Sequence, residues 1–291
     1  MAVFDSVSEL VGACKQRSMP LWEIVMRISS AESGISPEQT WDIMADRLSV
    51  MRQADASYDP AQRSPSGLTG GAAARMQQQY ESGKNISGPF IGEIIASALR
   101  MGECNACMHR IVAAPTAGSC GVIPAVLLPY AKKHGTGDDE LIRALFVAAG
   151  FGAVVATRAS MSGAEAGYQA EIGTSSAMAA AALVYLHGGS NEQMANACAI
   201  ALKNMMGLAC DPVAGLVEVP CVKRNVAGAM NALSAAELAL AGISSFIPPD
   251  EVIDAMREVG DSMPASIRET GKGGVAASPT AVRFKEEFFG K

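Results

Sequence analysis

From Gly88 almost to the C-terminus, apolar residues recur every three or four positions, and the two-residue alternation of a strand is nearly absent. A chain patterned in this way covers its hydrophobic surface by packing helix on helix, so the expected fold is an all-α assembly. The periodic segments run Phe90 to Met101, Val122 to Lys133, Asp139 to Thr157, Glu171 to His187, Asn191 to Met205, Lys223 to Ala241 and Pro249 to Val259. With 29 glycines and only 5% aromatic residues, the helices meet through small side chains.

Ahead of this core the text is ordinary amphipathic helix: Val3 to Lys15, Leu21 to Ala31, and a segment opened by Ser36-Pro37, a cap residue followed by proline at the first helical position. From Tyr58 to Gly83 it turns to Pro, Ser, Gly and Gln, which supply turns and little burial. The expected division is an N-terminal helical segment over 1–60, a Gly/Ser/Pro-rich link and turn over 61–88, and a helical core over 89–291.

The formal charge of −6 and the lack of any Lys/Arg run leave no basic face for phosphates, so nucleic acid is not an expected partner. No charged n-region precedes an apolar h-region, and the seven cysteines are irregularly spaced. They read as reduced thiols of a cytoplasmic protein. The longest apolar stretch, Leu145 to Ala156, contains Gly150 and Gly152 and falls short of the roughly 18 residues that cross a bilayer, so a core helix is expected and no membrane.

Several joints between helices are built of Gly, Ser, Thr, Pro and Cys where surface loops would carry charge, a composition that faces ligands. They are Ser82 to Pro89, Ala114 to Gly121, Ser160 to Gln169 and Cys210 to Gly215. A small-residue turn opening a helix presents free N–H groups and the positive end of the helix dipole to an anion, and the joint before Val122 suits this best. Taken singly, such joints read first as permitting close helix packing through their glycines, and it is four of them in one chain that point to a site.

Cys210 and Cys221 stand eleven positions apart with Asp211-Pro212 and Val219-Pro220 between them, a loop that can turn both thiols toward one point, as in iron–sulfur sites; two buried structural cysteines fit the same spacing. Cys104 and Cys107 form a C-x-x-C inside an apolar helical run and read as core packing. His109 and His187 sit at helix ends without a second histidine at ligand spacing, and neither is assigned to a metal.

Four motifs taken in order, APTAGSCGVIPA (114–125), SMSGAEAGYQAEIG (160–173), LACDPVAGLVEVPCVKRN (208–225) and SIRETGKGG (266–274), resemble the alpha chain of bacterial iron–sulfur L-serine dehydratase. The resemblance implies a catalytic helical subunit that eliminates water and ammonia from L-serine to give pyruvate. It implies a beta chain as partner, a homo- or hetero-oligomer, and no pyridoxal phosphate. It also implies a [4Fe–4S] cluster held by three cysteines, with one iron left open as a Lewis acid for the substrate hydroxyl.

By that resemblance Cys210 and Cys221 are two of the three ligands, and Tyr168, between Gly167 and Gln169, occupies the position of the third. A phenol is harder and bulkier than a thiolate and is neutral at pH 7 unless a metal lowers its pKa. The departure leaves four readings open: a relative that has lost the cluster, a site completed by a thiol such as Cys120, phenolate ligation, or a single deliberate substitution.

Within this frame Thr116, Ala117, Gly118 and Ser119, together with Ser87 and Gly88, are expected to hold the substrate carboxylate, with Lys84 as charge partner. Glu165 is the expected general base, unless the beta chain supplies it. Arg268 and Glu269, before Gly271-Lys272-Gly273-Gly274, either close over the site or end the last helix pair. The alternatives are a related β-elimination from cysteine or threonine, and a cluster-deficient scaffold subunit.

Overall fold

The computed structural model describes residues 4–290, so the expected helix start at Val3 lies outside the described residues. Thirteen α-helices are present among them: α1 (Val7–Arg17), α2 (Leu21–Ser33), α3 (Pro37–Ala56), α4 (Ala72–Glu81), α5 (Gly88–Ala106), α6 (Val122–His134), α7 (Asp138–Arg158), α8 (Gly163–Ala166), α9 (Thr174–Leu186), α10 (Asn191–Met205), α11 (Cys221–Leu240), α12 (Pro249–Ser262) and α13 (Pro279–Phe289). No strand occurs among these residues; an isolated parallel bridge joins Cys210 to Arg268. The fold is all-α, as the periodicity predicts.

The sequence TSSAMAAAALVYL of α9 has no polar face, and a helix apolar all round belongs in the middle of a protein. Residues Thr174 to Val184 are all buried, and α6, α7, α10 and α11 surround them. The Thr174 hydroxyl at its start is buried without a partner, whereas its serines are bonded to neighbouring segments. Ser175 donates to the Ala114 carbonyl at 2.7 Å, and the Asn231 amide on α11 reaches both Ser176 (2.8 Å) and the Ala201 carbonyl (2.9 Å).

α7 packs along this centre and is joined to the N-terminal helices by a run of rings. Trp22 and Trp41 meet edge to face at 6.1 Å, and Trp41 lies 6.1 Å from Phe146. One hydrophobic core extends from Val7 to Met256, so the helices α1 to α3 share a core with those that follow Gly88. By length and composition α7 is long and apolar enough to span a bilayer, with a mean hydropathy of 1.7. The expectation that its apolar run is too short is thereby corrected; what marks α7 as a core helix is that 67% of that window is buried inside the protein.

The Pro-, Ser- and Gly-rich stretch before α4 is fastened by acids from distant segments. Glu103, 2% exposed on α5, accepts the Tyr58 hydroxyl at 2.6 Å and the N–H groups of Ala72 and Ala73 at 2.7 and 3.2 Å. It thus satisfies the first free donors of α4, a helix the periodicity does not show. Glu218, in the loop before α11, accepts from Ser64 at 2.6 Å and from Ser66 at 2.8 Å.

Candidate active site

The Ala114–Gly121 joint does not run directly into α6. Thr116 first caps a short 3₁₀ turn, Ala117–Ser119, through reciprocal bonds with Ser119. The N–H groups of Ser119 and Cys120 close back on Thr116 and Ala117, and that of Gly121 donates to Asn225 Oδ1 at 2.8 Å. The N–H groups of Ala117 and Gly118 donate to no acceptor among the described residues, and both residues line a cavity of about 590 Å³. Its other walls include Ser160, Ser162, Gly163, Glu165, Glu171, Val217 and Glu269.

Glu171 is the buried acid of this cavity, 7% exposed. It lies in a single π turn, Gln169–Gly173, that leads into α9. Such a turn offsets the residues before it from the face they would hold in a regular α-helix. The Thr116 hydroxyl donates to Glu171 Oε1, and the Cys210 thiol stands 4.0 Å from Oε2. Burial pushes its carboxyl above the ordinary carboxylate range, opposed by the Thr116 bond and reinforced by Glu269.

Two glycines make room for this acid. A Cβ on Gly163 would come within 2.6 Å of Glu171 Oε2 and 3.0 Å of Cys210 Sγ, and one on Gly118 within 3.0 Å of Oε1. Neither residue has positive φ, so here glycine serves close approach to a carboxylate. Glu165, the acid expected as base, also lines the cavity but is exposed, and Ser160 donates to it in a short hydrogen bond. Glu171 was missed because a Glu at the head of an apolar run reads as a helix-start acid.

Cys210, Cys221 and Tyr168 come together behind Glu171. Cys210 is held by its backbone, which donates to the Ile267 carbonyl at 2.9 Å and accepts the Glu269 N–H at 2.7 Å; Glu269 adopts φ of 61° to make that bond. Cys221 opens α11, and its thiol receives the Tyr168 hydroxyl in a contact closer than an ordinary hydrogen bond. The Arg224 guanidinium covers the Tyr168 ring at 4.6 Å and stands 2.8 Å from Asp211 Oδ1, an ion contact outside hydrogen-bond geometry.

All three groups are strongly buried, and burial raises each above its ordinary pKa. Cys221 is pushed up to about 11; Cys210 rises further, helped by Glu171 and Glu269. Tyr168 is raised by burial and then by the Cys221 and Cys210 thiols. Neither thiol nor the phenol is part of the cavity lining.

These residues do not fit a three-thiolate cluster. The Tyr168 ring fills the space beside Cys221, and its oxygen takes up the Cys221 sulfur. Cys120 cannot complete the set, because it is fully buried with its thiol turned to the Met101 carbonyl at 3.7 Å, beside Cys104. No three His, Cys, Asp or Glu side chains among the described residues are grouped to hold a metal. Cys104 donates to the Ala54 carbonyl in the core, His109 meets Gln62, and His187 meets Tyr130.

Lys84, Ser87 and Gly88 lie elsewhere. α5 runs opposite to α6: Phe90 near its start sits under Lys133 at 4.1 Å, whereas Asn105 at its end reaches the Ala117 carbonyl at 3.2 Å. At 1.5 Å per residue, the 17 steps from Gly88 to Asn105 separate the two loops by about 25 Å. The expectation that both hold one carboxylate fails within a single chain. Lys84 is exposed, and the Asn85 amide donates to the Ser87 hydroxyl and to the Gly88 carbonyl.

The chain is similar to known proteins over nearly its whole length. Residues 16–276 match the family model described as serine dehydratase alpha chain. The chain belongs to that family. It is 48% identical to the probable L-serine dehydratase alpha chain of Bacillus subtilis, over 99% of this chain and 96% of that protein. It is 38% identical to the L-serine dehydratase alpha chain of Peptoniphilus asaccharolyticus, over 98% of each. With L-serine dehydratase TdcG of Escherichia coli it shares 38% identity over 94% of this chain but 61% of that protein, so some family members carry additional sequence.

Proposed function

We propose that this chain is the alpha subunit of a cytoplasmic L-serine dehydratase working with a beta chain, and that the cavity below the Thr116–Ser119 turn holds L-serine. The observation that carries the reading is the pairing in one cavity of the unbonded N–H groups of Ala117 and Gly118 with the buried carboxylate of Glu171. Two N–H groups at a turn suit the substrate carboxylate. Glu269, raised on its left-handed backbone at the same wall, suits the ammonium.

Dehydration takes the Cα proton and the β-hydroxyl off together as one water, the proton taken from Cα passing to the departing oxygen; the enamine left behind tautomerises and takes up water to give pyruvate and ammonia. Glu171 is the acid we assign to accept the Cα proton, since a carboxyl raised by burial is a better base near neutral pH than an exposed one. The Ser160 and Ser162 walls of the cavity add polar groups suited to a hydroxy-amino acid.

The reading is tested by calorimetric titration of the chain with L-serine, D-serine and L-threonine. L-serine binds preferentially, and Gly118→Val, which drives a side chain toward Glu171 Oε1, abolishes the heat. Equal heats for L- and D-serine would rule the reading out.

A further inference from the structure

We infer that Tyr168 closes the position of the family's third cluster cysteine, so that this chain folds around a phenol, thiol and guanidinium stack and takes up no [4Fe–4S] cluster. The inference rests on the family reading for the identity of the cluster position, and on this chain's own side chains for its closure.

Three observations carry it. Tyr168 is among the largest fully buried side chains, 2% exposed, so its ring is part of the packed interior and does not swing out to admit another group. Its hydroxyl is directed at Cys221 Sγ, which removes one of the two remaining thiols from the position of a free ligand. Its face is covered by Arg224 at 4.6 Å, and Arg224 is itself held by the Asp211 carboxylate at 2.8 Å and by the Ala209 carbonyl at 2.6 Å.

The ring meets the Cys221 thiol through its hydroxyl and the Arg224 guanidinium on its face, and the guanidinium is anchored to the loop that carries Cys210. Seating a cluster between Cys210 and Cys221 requires expelling a buried aromatic ring and uncovering Arg224. The ligand count then stands at two thiolates, against the four cysteines that hold ordinary clusters of this type and the three of this family. No neighbouring thiol makes up the difference, since Cys120 faces Met101.

The cavity with Glu171 is lined by Gly163 but not by Tyr168 or either thiol. The chain consequently retains an amino-acid cavity while its cluster position is filled with protein. Native chain and Tyr168→Cys, each with the beta chain, separate the two properties.

Both are treated anaerobically with ferrous iron, sulfide and dithiothreitol, then assayed for iron, acid-labile sulfide and absorbance near the thiolate–iron band. The native chain is expected to hold less than about one iron and to show no band, and Tyr168→Cys to gain about four irons with the band. Uptake of about four irons by the native chain overturns the inference, whatever the variant does. A folded Tyr168→Cys that takes up no more iron than the native chain also overturns it, since the phenol is then not the barrier. If Tyr168→Cys does not fold, the melting temperature of the native chain decides: an increase on adding iron and sulfide counts against closure, and an unchanged value supports it. L-serine binding by the native chain is measured separately, so a failure of the substrate reading leaves the iron result intact.

Discussion

Two loops of this protein look alike as text and differ as structure. Residues 58–71 and residues 114–121 are both rich in Pro, Ser and Gly, and both are met by a buried glutamate from a distant segment. In the first, Glu103 is close to saturated: two N–H groups and a hydroxyl fill three of its roughly four acceptor sites, and Glu218 is likewise spent on Ser64 and Ser66. In the second, Glu171 has one close donor, Thr116, a distant thiol, and a cavity in front of it. A buried acid whose lone pairs are mostly engaged by protein donors holds the fold together, and one with more capacity to spare at the edge of an opening is available to a ligand.

The difference is open to breakage from either side. Arg224→Ala should have the largest effect, because it strands Asp211, whose side chain is 5% exposed and whose other bond is to the Val275 N–H at 2.7 Å. A loss of about 3–5 kcal/mol in urea unfolding is expected for a buried pair deprived of one member; a loss under about 1 kcal/mol would show that Asp211 is not a structural acid.

Glu103→Ala comes next, with about 3 kcal/mol lost as the Ala72 and Ala73 N–H groups and the Tyr58 hydroxyl go unpaired. Hydrogen exchange should locate the damage at the start of α4. If exchange there is unaltered, Glu103 is not what holds that helix.

Glu171→Gln should do the reverse. Its unfolding free energy stays within about 1 kcal/mol of the native chain, since a single hydroxyl bond is at stake. Its affinity for L-serine falls by about tenfold or more, equivalent to about 1.4 kcal/mol. Unchanged binding would remove Glu171 from the site.

The smallest effect concerns Asp55, an intermediate case that accepts from Ser97 at 3.3 Å and pairs with Arg100 at 2.9 Å. Burial raises its carboxyl above the ordinary value, with Arg100 acting in the opposite sense. A raised carboxyl binds its proton more tightly in the folded state, so its contribution is fully present below about pH 4 and is lost as pH rises through the folded value. Asp55→Asn should flatten that part of the stability–pH curve by less than about 1 kcal/mol, screened as a part-exposed pair is. A variant curve parallel to the native one would contradict the assignment.

Legibility from sequence divides along the same line. Asn191 to Met205 was predicted at its observed bounds, and Ser36-Pro37 does open α3, with Gln39 completing the capping box. These features are local: period, cap and proline act within one turn. α4 was hidden because its N-terminus is satisfied by Glu103 on another helix, and its Gln77-Gln78-Gln79 run carries no apolar period. Cys210 and Cys221 were legible as a pair because the motif names them. The closing of Tyr168 over Cys221, the inward set of Glu171 and the distance of Lys84, Ser87 and Gly88 from the Thr116 turn all depend on how helices cross, which no local pattern encodes.

The backbone pairing of Cys210 with Ile267 and Glu269 has a consequence for the C-terminal tail. The two bonds that seat the cysteine end at residue 269, whereas the bond that supports Asp211 comes from Val275, beyond the glycines at 271, 273 and 274. Proteolytic nicking within those glycines would split the two duties, leaving the sulfur in place while loosening the acid that steadies Arg224. The segment works as a clasp with two independent hooks, and the outer one can be released first.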